Sequence, residues 1–208
     1  MDLASGWTDQ QREDSDFSGA DLSDLEMENC SFSRCSFRGA LLSSAMTSGC
    51  TFEACDFTDA RFNGSEHRHS AFTNCSFKGA SLFSALLEGC KLAGSQFEEA
   101  ELTAFTLSGG DLSYANFFEK QDLKGQDLRG VRFVGTELSG CDLREADLRD
   151  ANLSHANMYG VRLEGADLRG ANVEGLDLSA LGLRGVRLDV GQAVALAHSL
   201  GASVHLEI

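Results

Sequence analysis

Cysteine thiols have the widest possible chemistry among the side chains of this 208-residue sequence. Thiols can cross-link as disulfides or bind zinc. The odd number of cysteines, and a start that lacks the basic flank and apolar stretch of a signal peptide, favour reduced thiols in a cytosol. No histidine lies in register beside them, so we expect no zinc site. The seven residues are Cys30, Cys35, Cys50, Cys55, Cys75, Cys90 and Cys141.

Two histidines, His67 and His69, lie close together in the sequence. No acid, base or nucleophile set can be assigned to them, so we expect neither catalysis nor metal binding there. For the whole chain we expect no enzymatic activity and no cofactor. His67 takes a position that is elsewhere large and apolar. It is therefore either a buried, neutral, hydrogen-bonded side chain or part of a small outward excursion.

A repeat of five residues must position these side chains. A large apolar residue recurs at every fifth position from Phe17 to Phe117 and, after a slip of one residue, continues to Leu188. Of these 35 central residues, 33 are Phe, Leu, Met or Val, and Thr47 and His67 are the exceptions. Neither a helix nor an alternating strand has this period, whereas a short fixed period is typical of a solenoid.

Two further positions of the repeat are regular. Two places before the centre, 29 of the 35 residues are small, and all seven cysteines are among them. We therefore expect the thiols to be small, buried core residues. Two places after the centre lie 17 of the 22 glycines, which predicts a sharp corner with positive φ.

The chain is strongly acidic, with a formal net charge of −15. Residues 1–117 hold 18 acidic and 7 basic side chains, hence −11 of that total. Such a chain is not expected to bind nucleic acid directly, but it should attract basic surfaces, including those that hold DNA. The alternative is that the acidic residues only keep a long β surface dispersed and prevent edge pairing. No apolar run of about 18 residues predicts a membrane span.

The repeat units resemble those of pentapeptide-repeat proteins, as in Ala146-Asp147-Leu148-Arg149. The resemblance covers residues 15 to 188 and implies an all-β fold, a right-handed quadrilateral β-helix with four repeats per coil. Coils should stack about 4.8 Å apart into a rod roughly 40 Å long. One side of that rod would hold a ladder of six stacked rings, from Phe17, Phe37, Phe57, Phe77, Phe97 and Phe117.

The pattern divides the chain into three segments. We expect residues 1–14 to lie outside the repeat and residues 15–188 to form the β-helix, with a one-residue phase slip at 118–122. Gln121 and Gln126 replace small inward residues beside the slip, which indicates a bulge. For residues 189–208 the pattern predicts a cap and dimerisation tail. A helix should begin after Asp189 and end at Gly201, and a short strand should follow.

The tail is similar to that of a narrower group, the gyrase-protecting proteins of the Qnr and MfpA type. The similar residues are Gly185-Val186-Arg187-Leu188-Asp189, Gln192-Ala193 and Leu200-Gly201. This resemblance implies a homodimer joined through the C-terminal helix. It also implies a DNA mimic that occupies the DNA-binding groove of a bacterial type II topoisomerase, DNA gyrase or topoisomerase IV. Such a protein acts in the cytoplasm and protects the enzyme from quinolones or natural poisons.

One feature departs from the Qnr pattern. Qnr-type proteins carry two projecting loops that are needed for protection, whereas this chain has none of comparable length and is closer to the MfpA kind.

The alternative function is that of an interaction scaffold with an unknown protein partner.

Two sets of surface residues are the candidates for these contacts. For the dimer we expect the apolar face of the helix, namely Val190, Ala193, Val194, Ala197 and Leu200. For the partner we expect the acidic residues that flank the slip, namely Glu98, Glu99, Glu101, Asp111, Glu119 and Asp122. The Asp-Leu-Arg units should instead partly neutralise themselves as solvated surface ladders, at Asp127/Arg129, Asp147/Arg149 and Asp167/Arg169.

Overall fold

The chain winds into a β-solenoid of short parallel strands. The computed structural model describes residues 6–117 and 121–205. The strands are β1 (Trp7–Thr8), β2 (Gln11–Glu13), β3 (Glu26–Glu28), β4 (Ser31–Ser33), β5 (Met46–Ser48), β6 (Thr51–Glu53), β7 (Glu66–Arg68), β8 (Ala71–Thr73), β9 (Leu86–Glu88) and β10 (Thr106–Ser108). A short 3-10 helix (Leu178–Ala180) and the helix α1 (Val190–Ser199) follow.

Each coil has four sides. Strands β1, β3, β5, β7, β9 and β10 form one six-stranded sheet, and β2, β4, β6 and β8 form a four-stranded sheet. Paired residues in both sheets are 20 apart. The other two sides are joined by single bridges, such as Asp16–Ser36. In chain order, side 1 is centred on Phe17, side 2 on Leu22, side 3 (the six-stranded sheet) on Met27 and side 4 (the four-stranded sheet) on Phe32. This confirms the expected quadrilateral β-helix.

Aromatic rings stack inside the rod. The predicted ladder from Phe17 to Phe117 is present, with nearly parallel rings whose centroids lie 4.8 to 5.3 Å apart. A second ladder of Phe32, Phe52 and Phe72 lies on side 4, with centroids 4.9 and 4.7 Å apart. These distances match the spacing of paired strands, so the rings stack because the backbones that carry them are stacked.

The corners of the coils adopt positive φ with or without glycine. Gly19 has a φ of 65°, as the sequence predicts, but 17 residues other than glycine within 6–117 and 121–205 share this conformation. They include Ala54 and Tyr114. Asp and Asn are frequent among them, because their short polar side chains tolerate the left-handed region. Glycine is therefore a preference of the corner and not a requirement.

The small inward position has a hydrogen-bonding role that the sequence pattern did not predict. Cys30 donates from Sγ to the carbonyl of Trp7, 23 residues earlier and 3.2 Å away. Ser95 makes the same bond to Phe72 over 2.6 Å. Each of the seven cysteines makes a bond of this kind. All seven are buried and free, which confirms their place in the core.

The phase slip is visible in the pairing register. Bridges before it join residues 20 apart, whereas Asp111–Arg132 and Asn116–Glu137 join residues 21 apart. Residues 118–120 lie outside the described part of the chain, as does most of the expected bulge. From Asp122 onward the interval is 20 again. These intervals leave no room for a projecting loop between paired residues.

Two glutamines stabilise the coil that follows the slip. Gln121 donates from Nε2 to the carbonyl of Phe97, 3.3 Å away, and Gln126 donates to that of Phe105, 2.7 Å away. They occupy the inward position that is usually Ala, Cys or Ser, and like Cys and Ser they bond to a backbone carbonyl of the preceding coil. A longer side chain is therefore compatible with the core there because its amide reaches a backbone carbonyl.

The solenoid begins earlier than the expected boundary at residue 15. Trp7 pairs with Met27 on side 3, and Arg12 pairs with Phe32 on side 4. The indole of Trp7 packs on the rings of Phe17 and Phe32, with centroids 5.7 and 6.0 Å apart. This coil escaped the sequence pattern because Arg12 occupies a central position that is apolar in 33 of the 35 later repeats.

Helix α1 begins and ends as the sequence predicts. The carboxylate of Asp189 accepts from the backbone N of Gln192, and the side chain of Gln192 accepts from the backbone N of Asp189, over 2.9 and 3.0 Å. Gly201 follows the helix with a φ of 81°. Residues 202–205 form no strand, and the rest of the expected strand lies outside the described residues. No helix within residues 6–117 and 121–205 is long and apolar enough to cross a membrane.

Candidate partner-binding surface

Three members of the predicted acidic cluster surround one corner of the rod. Glu98 and Glu99 follow Phe97 at the end of side 1, and Glu101 begins side 2; all three carboxylates are exposed. Lys78 of the preceding coil contacts Glu98 over 2.9 Å and so partly neutralises it. The corner is therefore a compact acidic surface that faces solvent.

The other members of the cluster lie elsewhere. Asp111 is on side 4, opposite Glu101, and its carboxylate lies 3.4 Å from Nε of Arg132. Asp122 is on side 2, beyond the slip, and accepts from the backbone N of Lys124 over 3.0 Å. Glu119 lies outside the described residues. The cluster is thus not one surface, because four-sided winding separates residues that are close in sequence.

Side 3 carries a second acidic surface that the sequence reasoning missed. Glu26 and Glu28 flank the buried Met27 on β3, and both are exposed. Glu66 on β7 lies in the column of Glu26, and Glu88 on β9 lies in the column of Glu28, at intervals of whole coils. The available signal was the spacing by twenties, which assigns every outward residue to a side.

The Asp-Leu-Arg units neutralise themselves, as predicted. Oδ2 of Asp147 lies 2.6 Å from Nη2 of Arg149 in the same unit. Asp167, however, is only 6% exposed, because Arg169 and Arg187 cover it. The expectation of a solvated ladder is wrong for this residue. The hydrogen bond from Arg169 holds the pKa of the Asp167 carboxyl well below its ordinary value.

Thr47 and His67, the two polar centres, are bonded to each other inside side 3. Oγ1 of Thr47 lies 2.8 Å from Nδ1 of His67 and 2.9 Å from Oγ of Ser70. Nε2 of His67 lies 2.9 Å from Oγ of Ser65. The histidine is 2% exposed, so the buried alternative is confirmed and the outward excursion is wrong. Burial lowers the pKa of His67 to about 3 and keeps the ring neutral.

Burial also controls the protonation of the cysteine thiols. It raises the pKa of Cys50, Cys90 and Cys141 to about 11, which disfavours the thiolate that nucleophiles and metal ligands require. Within residues 6–117 and 121–205, no group of three or more His, Cys, Asp or Glu side chains is arranged to hold a metal ion.

The residues predicted for the dimer differ in exposure. Val190 and Leu200, at the two ends of α1, are 72% and 69% exposed. Ala193 is also exposed, whereas Val194 and Ala197 are half-buried. The helix therefore presents apolar surface at the C-terminal end.

Gln192 connects this helix to the rod, a role that the sequence reasoning missed. Its Nε2 donates to the carbonyls of Leu168 and Ala171, over 2.6 and 2.8 Å. The side chain is 5% exposed, so it lies under the helix and seals the last coils. Its position three residues after the N-cap Asp189 indicates the capping role. That position does not indicate the contact with the rod.

The repeats match a known family model. The model described as pentapeptide repeats matches eight copies over residues 13–45, 35–66, 55–82, 80–117, 118–145 and 146–180. No curated protein matches the sequence. Because the matched segments cover far more than half of the chain, they determine its family.

Solved structures of pentapeptide-repeat proteins share the fold. A trypsin-treated variant of QnrB1, a plasmid-mediated fluoroquinolone resistance protein, is 25% identical with a TM-score of 0.85, over 96% of this chain and 99% of that chain. Full-length QnrB1 is 24% identical with a TM-score of 0.85, over 94% and 99%.

A more distant match is HetL, a pentapeptide repeat protein involved in heterocyst differentiation regulation from the cyanobacterium Nostoc sp. strain PCC 7120. It is 25% identical with a TM-score of 0.50, over 86% of this chain and 85% of that chain. From its repeats, its stacked four-sided coils and these matches, the chain belongs to the pentapeptide-repeat family and has a Qnr-like architecture.

Proposed function

We propose that this chain binds a bacterial type II topoisomerase, DNA gyrase or topoisomerase IV, in place of duplex DNA. Binding would protect the enzyme from quinolones or natural poisons in the cytoplasm. The observation that carries the proposal is the similarity to QnrB1 along the whole rod, with a TM-score of 0.85 over 96% of the chain. A net charge of −15 supports it, because the partner surface would be one that attracts DNA.

The charge density of the rod is of the same order as that of DNA. A net charge of −15 on a rod roughly 40 Å long is about one charge per 3 Å. Duplex DNA carries about one charge per 1.7 Å. A basic groove that holds DNA should therefore attract this rod, and the attraction should weaken as salt screens exposed charges over about 10 Å at 0.1 M.

A homodimer through the C-terminal end forms part of the proposal. In addition to the exposed Val190 and Leu200, the last coils carry an open cavity of about 540 Å³ that is lined in part by Met158, Tyr159 and Leu181. Tyr159 is 84% exposed. Covering these side chains with a second copy would bury apolar surface. It would also extend the rod to about 80 Å, by the spacing of stacked strands.

The sides of the rod must supply the contacts. The pairing intervals of 20 and 21 residues exclude long loops between paired residues, so a loop-based mode of protection is not available to this chain. The exposed corner formed by Glu98, Glu99 and Glu101 is one candidate contact. The neutralised Asp-Leu-Arg ladders should contribute less, because their carboxylates are already bonded to arginine.

The direct test is a titration of the purified protein into gyrase and topoisomerase IV. Supercoiling or decatenation and drug-induced DNA cleavage are measured with and without a fluoroquinolone, at two salt concentrations. We expect less cleavage in the presence of the protein, and a smaller effect at the higher salt. If the protein changes neither activity nor cleavage at any concentration, the proposal is wrong.

A matched pair of variants tests the surface. Glu98→Gln/Glu99→Gln/Glu101→Gln removes three exposed carboxylates at the corner, and Glu145→Gln/Glu164→Gln/Glu174→Gln removes three exposed carboxylates beyond the slip. Both variants change the net charge by the same amount. We expect protection to fall more in the first variant. Equal loss would mean that only total charge matters, and no loss in either would favour the solubility role of the acidic residues.

The alternative function is that of an interaction scaffold for a different protein. The fold similarity to HetL, which is involved in heterocyst differentiation regulation, supports this alternative. The two functions differ in competition with DNA. A DNA surrogate should be displaced from the topoisomerase by linear duplex DNA, whereas a scaffold has no reason to bind topoisomerase at all.

A further inference from the structure

A groove crosses the outer surface of side 3 in the N-terminal half of the rod. Its volume is about 310 Å³, and β1, β3, β5 and β7 form its floor. The groove lies over the buried Thr47, which belongs to the polar pair inside this side. The charged side chains that line it are Glu26, Glu28, Glu66 and Arg68.

An exposed methionine forms the middle of the groove. In the pairing register Met46 lies between Glu26 and Glu66, one coil from each. Its side chain points outward and is 41% exposed, at a position of the repeat that is commonly acidic or polar. The groove therefore combines an unbranched, adaptable apolar side chain with carboxylates on both sides.

The carboxylates of the groove are not equally available. Arg68 contacts Glu66 over 2.8 Å and also contacts Glu88, so Glu66 already has a cationic partner. Glu26 and Glu28 form no ion pair with any residue within 6–117 and 121–205. They occupy alternate positions of β3, so both project from the outer face, about 7 Å apart. Three carboxylates and one guanidinium leave the groove with a net charge of −2.

We propose that this groove binds a lysine or arginine side chain that projects from a protein partner. The aliphatic part of that side chain would lie on Met46, and its cationic end would lie between Glu26 and Glu28. Long cationic side chains have this division into an apolar stem and a charged head. A protein segment fits better than a free cation, because the groove is open along the sheet and offers an apolar contact as well as charge.

The inference deepens the proposed function by assigning one contact surface, and it rests on that function only for the identity of the partner. The groove lies at the end of the rod away from α1. In a dimer joined through α1, one groove would therefore lie near each end. A partner with basic side chains at two separated places would engage both.

The test uses a fluorescein-labelled peptide, Arg-Leu-Arg-Leu-Arg, and fluorescence anisotropy at low salt. Glu26→Gln/Glu28→Gln removes the two carboxylates of the groove, and Glu164→Gln/Glu174→Gln removes the same charge from two exposed residues beyond the slip. Because a surface ion pair contributes modestly, we expect the groove variant to bind about tenfold more weakly and the control to change by less than about twofold. Circular dichroism verifies that both variants fold.

The apolar half of the site has its own variants. Met46→Ser should weaken peptide binding, whereas Met46→Leu should retain it. Equal weakening in the two charge variants would show attraction by net charge alone and would overturn the proposal, as would no binding to the wild type. A positive peptide result together with no effect on gyrase or topoisomerase IV would leave the groove assigned and refute the proposed function.

Discussion

The carbonyl oxygen of Cys90 lies 2.4 Å from the point that a Cβ atom on Gly110 would occupy, one coil further along side 4. Gly110 also has a φ of 102° and fills the inward position that is usually Ala, Ser or Cys. Gly109, the preceding residue, is a corner glycine with a φ of 63° and open space where its Cβ would lie. The close approach of the preceding coil therefore requires glycine at position 110. At position 109 the positive φ favours glycine but does not require it.

Gly110→Ala should lower the free energy of unfolding by about 3 kcal/mol, since it combines a strained φ with a clash against backbone. Gly109→Ala should cost about 1 kcal/mol, because alanine already occupies equivalent corners at Ala54 and Ala104. Thermal and denaturant unfolding followed by circular dichroism measures both. Equal losses would contradict the distinction.

The free energy of unfolding should decrease as the pH falls, within a window controlled by His67. The pKa of its ring is about 3 in the fold and about 6.5 in an unfolded chain, so the unfolded state binds the proton first. This contribution is complete above pH 6.5 and is lost as the pH falls towards 3. Between pH 6 and pH 4.5 the loss should be about 2 kcal/mol.

Urea unfolding at several pH values measures this loss. His67→Leu should flatten the slope in the window, whereas His69→Gln, which changes an exposed histidine, should keep it. Measurements stop at pH 4.5 because carboxylates with a lowered pKa, such as Asp167, add their own pH dependence below that point. An unchanged slope in His67→Leu would refute the assignment.

The cysteines should be replaceable by residues that can make the same bond. Cys55 donates to the carbonyl of Phe32 over 3.5 Å, and Ser95 makes the equivalent bond to Phe72. We expect Cys55→Ser to be nearly neutral and Cys55→Ala to cost about 1 kcal/mol. Cys55→Lys should prevent folding, because it buries an unpaired charge. A melting temperature that changes with reductant or chelator would show that the thiols do more than pack.

The dimer can be tested without disturbing the fold. Val190 and Leu200 are exposed, so Val190→Glu/Leu200→Glu should leave the helix in place and convert a dimer into monomers. Charges at Val194 and Ala197 should act in the same way but also disturb packing, since both are half-buried. Light scattering at micromolar concentration measures the mass, and Tyr114→Glu is the exposed aromatic control. A wild-type mass of one chain would contradict the dimer.

The sequence predicts the core better than the surface, for a physical reason. Core positions depend on the period alone, and the Phe17 to Phe117 ladder follows from counting by twenties. The side of each charge follows from the same count, and by that count Asp111 already lies opposite Glu101. What spacing could not predict is which carboxylates find a cation. Lys78 contacts Glu98, and Arg132 contacts Asp111. These pairs depend on the rotamers of long side chains from adjacent coils, which the repeat period does not determine.

The pairing interval of twenty residues on either side of the slip has a consequence for how such a chain changes over generations. Where residue n pairs with residue n + 20, loss or duplication of twenty residues returns every later side chain to its own side. A stretch of five, ten or fifteen residues transfers all that follows to a different side, and a stretch that is not a multiple of five also disturbs the inward-facing positions unless a local bulge absorbs the difference. Recombination in units of sixty base pairs would therefore lengthen or shorten this protein while it keeps a working interior.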